Sequence, residues 1–120
     1  MQNVKEILIM SKIVDIIAAE VLHWPGVVQG QGRFGAVTFS VQGHELGHVH
    51  GNQLADLPLP QQVRDELIAA GRVAPHHIRP ETGWVTYYLH GAESVPALIA
   101  LFRLNYERYS TTTSASQEAG

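Results

Sequence analysis

Apolar positions recur at helical spacing near the start of the chain and at strand spacing further on. Val4, Ile7, Leu8, Val14, Ile17, Ala18, Val21 and Leu22 fall on one side of a helical repeat with charges between them, which predicts an amphipathic helix from Val4 to Leu22. Trp24-Pro25-Gly26 ends it. Between Gly30 and Gly51 the period changes: Val37, Phe39 and Val41 alternate with Ala36, Thr38 and Ser40, and Gln42-Gly43 offers a two-residue turn. A strand, a turn and a return strand follow. Ala55 to Pro60 is too rich in proline for a helix, whereas Gln61 to Ala70 carries Val63, Leu67 and Ile68 on one face and stops at Gly71. A loop from Arg72 to Gly83 leads into Trp84 to Leu89, a strand by its aromatic and β-branched content. Ser94 caps a last helix, with Pro96 in its first turn and Leu98, Ile99, Leu101, Phe102 and Tyr106 available to the core. The expectation is a single α+β domain over residues 1–110, a small antiparallel sheet with about three helices packed on it. The tail at 111–120 has nothing to bury and is expected to be disordered.

Composition narrows the function classes. Of 120 residues, 45% are hydrophobic and 16% charged, as in an ordinary globular protein. A net charge of -3 with only 8 lysines and arginines leaves no basic field for a phosphate backbone, so no nucleic-acid partner is expected. The absence of cysteine excludes disulfides and thiolate sites and fits a reducing cytoplasm. Lys5, Glu6, Lys12, Asp15 and Glu20 interrupt the N-terminal apolar run too often for a membrane span. No serine elbow, phosphate-cradling loop or dinucleotide fingerprint is present, Gly30-Gln31-Gly32 lacking the third glycine.

The stretch HELGHVHGNQL at 44–54 contains a literal H-E-x-x-H. That motif makes a zinc site when it is helical, because residues four apart then lie on one face about 6 Å apart. Gly43, Gly47 and Gly51 punctuate it, each costing about 1 kcal/mol in a helix. In a strand His44 and His48 would stand roughly 13 Å apart, beyond two zinc bonds of about 2.0 Å each. The position of a third metzincin ligand holds Leu54. We therefore read the stretch as a strand and not as a protease centre.

A two-residue turn at Gln42-Gly43 pairs Val41 with His44, Phe39 with Leu46, Val37 with His48 and Gly35 with His50. This register puts the histidines on the apolar face, with His48 and His50 about 6 to 7 Å apart. A slip of one residue reverses the result and sends Val49 inward. His48, His50 and His76 are the candidate proton-transfer groups. Around them His77, Arg72, Arg79, Trp84 and Tyr88 are candidate ligand contacts, with Tyr87 as a further aromatic wall. Each histidine has a plainer reading too, as a half-buried, hydrogen-bonded spacer.

The pieces WPGV, RFGAVTFSVQGHELGHVHG, ADLPLPQQVRDELIAAGRVAPHH, TGWVTYYL and ALFRLNYERY resemble the short bacterial luciferase-domain proteins, which are similar to a domain in the luciferases of luminous fungi. The resemblance covers about residues 20–109. It implies a pocket for a small, planar or oxygenated organic molecule and oxidation by molecular oxygen with no metal or flavin cofactor. It also marks His76-His77 as the first residues to carry over, with His48 and His50 on the strand before them. This chain is much shorter than the fungal enzymes. The segment GWVTYYL to LNYERY also resembles YjbR-like α+β domains, which show Ser-Tyr where this chain has Asn105-Tyr106. Two alternatives stand beside the small-molecule reading. One is a metal held by His48 and His50 with a third ligand from His76, His77 or His90. The other is a non-catalytic interaction module that uses the apolar face of the helix Val4 to Leu22 to form a homodimer or hold another partner.

Overall fold

The computed structural model describes residues 12–119, with side chains described through Ser110. Helix α1 is Ile13–Val21; the part of the expected first helix before Lys12 lies outside the described residues. Strands β1 (Val27–Gln31), β2 (Val37–Val41), β3 (His44–His50) and β4 (Leu54–Pro58) follow, with a 3₁₀ turn at Arg33–Gly35 between β1 and β2. Helix α2 (Gln61–Ala69), the short strand β5 (Ala74–Pro75), strand β6 (Trp84–Tyr88) and helix α3 (Val95–Ala119) complete the order. No described helix is long and apolar enough to cross a membrane.

All strand pairs are antiparallel, in one six-stranded sheet of order β1-β2-β3-β4-β6-β5. The α+β class expected from the periodicity therefore holds. Helix α3 packs across β2, β3 and β4, and α1 packs on α3. Phe39, Val41, Val49, Ala55, Leu57 and Val85 are buried toward these helices together with Leu98 and Phe102. Phe39 meets Phe102 edge-on with centroids 5.8 Å apart, the geometry that aromatic quadrupoles favour. Ile13, Ile17 and Val21 of α1 lie in this same core, so that part of the apolar stripe offered for dimerisation is used within the fold.

The β2–β3 hairpin decides which residues face away from the core. Its turn is the expected Gln42-Gly43, with φ of 50° and 81°, the left-handed pair of a type I′ turn. Val41 pairs with His44 and Ser40 with Glu45 as expected, but Phe39 then pairs with Gly47, Thr38 with His48 and Val37 with Val49. A β-bulge thus inserts Leu46 into β3 and shifts the register by one residue. The expected pairing of Val37 with His48, and with it the placing of the histidines on the apolar face, is overturned. Leu46 and Val49 go inward, and His48 and His50 go to the outer face.

Two contacts hold the bulge. A Cβ on Gly47 would lie 2.8 Å from the carbonyl oxygen of Asp56, 2.9 Å from Phe102 Cε1 and 3.1 Å from Leu57 Cγ, so only glycine lets α3 and β4 close on β3 here. Asn105, fully buried on α3, donates from Nδ2 to the carbonyl oxygens of Leu46 and Pro58 at 2.9 and 2.8 Å. Those carbonyls belong to the bulge residue and to the end of β4. Gly47→Ala should cost about 2–4 kcal/mol by overpacking against backbone. Asn105→Leu should cost about 2–4 kcal/mol by leaving buried carbonyls without this donor. Urea titration of each variant checks both values.

Candidate functional site

The outer face of the sheet centres on Asp56 of β4, a carboxylate only 1% exposed. Thr86 of β6, opposite it in the ladder, donates its hydroxyl to Oδ1 at 2.7 Å. Four imidazoles converge on Oδ2: His48 Nε2 at 3.2 Å, His50 Nε2 at 3.4 Å, His76 Nε2 at 3.5 Å and His77 Nε2 at 3.1 Å. His48 and His50 come from β3, whose alternation after the bulge sends both outward. His76 and His77 follow β5, and the His77 backbone N–H donates to Thr86 Oγ1 at 3.1 Å, which pins their loop to the same point.

Hydrogen bonds on the far ring nitrogens sort the histidines into kinds. Glu45 Oε2 lies 2.8 Å from His48 Nδ1. Residues three apart on a regular strand face opposite ways; the bulge is what lets Glu45 and His48 share a face. A carboxylate on Nδ1 makes that nitrogen the donor and leaves Nε2 directed at Asp56, the arrangement by which outer carboxylates orient metal-binding histidines. His76 is built the other way round. Its Nδ1 accepts the backbone N–H groups of Ile78 and Arg79 at 3.2 and 3.1 Å. A neutral His76 must then carry its proton on Nε2 and donate toward Asp56.

The same geometry sets the titration of these groups. Burial opposes charge on His48, but the hydrogen bonds to Asp56 and Glu45 and the two carboxylate charges outweigh it and raise its pKa from 6.5 to about 9. Burial likewise opposes charge on Asp56, yet the hydrogen bonds from His48, Thr86 and His77 hold it well below the usual carboxylate range. Burial pushes His76 down, consistent with its being neutral.

Two triads have donor atoms mutually close enough for one ion: His48, His50 and Asp56, and Asp56, His76 and His77. His44 is in neither. It stacks on Tyr109 of α3 with centroids 4.5 Å apart, on the helix side of the sheet, so the two histidines of the H-E-x-x-H lie on opposite faces. A cleft of about 430 Å³ opens over the triads. A second of about 270 Å³ shares His48, His76 and Arg79 and is walled by Trp84, whose ring centroid is 5.5 Å from that of His48.

Of the residues singled out from sequence, His48, His50, His76, His77, Arg79 and Trp84 come together here. Arg72, Tyr88 and His90 line a separate cleft of about 240 Å³. Tyr87 turns to the core side and donates its hydroxyl to the Ser94 carbonyl at 3.1 Å. Sequence reading missed Asp56, Glu45 and Thr86. The signal for Asp56 was a single charge inside the apolar run Leu54 to Leu59.

A pKa raised on folding stabilises the fold fully below the unfolded value and loses that contribution as pH rises through the folded value. In chelator-treated protein the His48 contribution is therefore present below pH 6.5 and lost as pH rises through about 9. The urea midpoint of the wild type should fall over that window more than that of His48→Gln, measured side by side.

The family described as the luciferase domain matches residues 43–105. No curated protein and no solved structure matches the chain. The matched stretch spans more than half of the sequence and contains β3, β4, the histidine loop and β6; the chain belongs to the luciferase-domain family.

Proposed function

We propose that His48, His50 and Asp56 hold one divalent transition-metal ion, with His77 beside them as a further donor, and that a small organic molecule enters the cleft above it for oxidation. The spacing of the donors carries this reading. Ligand atoms on a shared metal with bonds of about 2.1 Å are about 3.0 Å apart at a right angle and about 3.4 Å at the tetrahedral angle. His48 Nε2 and His50 Nε2 stand 3.2 and 3.4 Å from Asp56 Oδ2. One carboxylate oxygen has two lone pairs, too few for four imidazoles as simple hydrogen-bond donors, whereas a cation takes up the nitrogen lone pairs directly.

Two imidazoles and a carboxylate with positions left open suit ferrous iron and oxygen chemistry. The family resemblance implies oxidation of an oxygenated ring but implies no metal; the donor set argues for one. In this reading Glu45 orients His48, Thr86 orients Asp56, and His76 serves as a neutral donor that steadies the carboxylate. A second reading rests on the raised His48 pKa: a metal-free His48–Asp56 pair that moves a proton to or from the bound molecule.

Metal content separates them. Untagged protein loaded with ferrous iron without oxygen and then desalted should retain about one equivalent, since a structural donor set of this kind binds tightly. His48→Ala and Asp56→Asn should each retain less than about one-tenth of that, and His76→Gln more than about half. Wild-type protein that retains none, with a melting temperature indifferent to chelator, would leave the proton-transfer reading in its place.

A further inference from the structure

We infer that the molecule bound in the larger cleft is a planar organic carboxylate, held by its anionic group between Arg33 and Arg79 with its ring against Phe34 and Ile78. The inference rests on the metal-centre reading for which end of the molecule reacts, and not for the anion contact.

The floor of the cleft is the histidine and Asp56 cluster, but its rim is built from two other segments. Arg33 and Phe34 sit on the 3₁₀ turn between β1 and β2, and Ile78 and Arg79 follow the histidine pair. Among the described residues neither guanidinium has a hydrogen bond or ion pair. Besides Asp56, the acid at the cleft is Glu45, which His48 already engages. Two arginines lining a cleft without a free acid suit a carboxylate, which a guanidinium binds through two parallel hydrogen bonds.

The apolar part of the ligand is indicated independently. Phe34 is 91% and Ile78 67% exposed, more than any other large hydrophobic side chain described, and both line this one cleft. Phe34 also has φ of 58°, a left-handed conformation that a phenylalanine rarely adopts. The chain thus holds an aromatic ring in water at the mouth of a cleft, where a planar ligand would cover it. A volume of about 430 Å³ lies toward the small end of ligand pockets and fits one or two rings.

Titration calorimetry with salicylate and with its neutral amide, on samples whose metal content is measured, tests this. Salicylate should bind at least about tenfold more tightly than salicylamide. Arg33→Gln/Arg79→Gln should reduce that preference to less than about threefold with metal content unchanged, and Phe34→Ala should weaken both compounds alike by about fivefold. Equal binding of acid and amide, no binding of either, or a preference that the double arginine variant leaves intact would overturn the inference. Metal-free samples that still prefer the acid, and lose that preference in the arginine variant, would sink the metal reading alone and uphold the anion site.

Discussion

A carboxylate taken out of water must be compensated, and most of this protein's outer face is arranged around that requirement. Asp56 is 1% exposed in the middle of a sheet strand, where an unpaired charge would cost several kcal/mol. Thr86 satisfies one oxygen and four imidazoles surround the other. Hydrogen bonds and charge thereby keep ionised a group that burial alone would neutralise. The reverse coupling acts on His48, which lies between Asp56 and Glu45 and gains a raised pKa from both. Such opposed shifts are what the metal or proton chemistry proposed for this cleft would draw on.

The arrangement depends on one inserted residue. Without the bulge at Leu46, β3 would send His48 and His50 into the hydrophobic core, and Glu45 would face away from His48. The bulge is held from the helix side, by the absence of a Cβ at Gly47 and by the Asn105 amide. Core packing and site geometry are therefore one structure seen from two faces of the sheet. The H-E-x-x-H spacing acquires a meaning different from its helical one: His44 anchors to α3, while Glu45 and His48 form a carboxylate–imidazole pair on the outer face.

Much of the architecture was legible because it rests on local pattern. The helical stripes, the Gln42-Gly43 turn and the β2 alternation each report a buried face directly, and they gave the α+β class. Strand β1 left no such trace, because it is an edge strand whose residues after Val27 are exposed. Strand β4 was illegible for the opposite reason. Ala55, Asp56 and Leu57 are buried in succession, since helices cover one face and the histidine cluster the other, so apolar residues run without alternation. The bulge was beyond reach of pattern as well, because it is fixed by Phe102, Leu57 and Asn105, distant in sequence. Four of the cluster's histidines were nonetheless named from sequence. What was missing was the strand carrying the carboxylate that joins them.

The most direct test of the central claim is anomalous diffraction from crystals of the iron-loaded protein, collected on both sides of the iron absorption edge. The metal-centre account predicts a single anomalous peak bonded at about 2.1 Å to His48 Nε2, His50 Nε2 and Asp56 Oδ2, with His76 Nδ1 still accepting from the Ile78 and Arg79 amides. A peak elsewhere, or ordered imidazoles at their hydrogen-bonding distances from Asp56 with no peak among them, would contradict it.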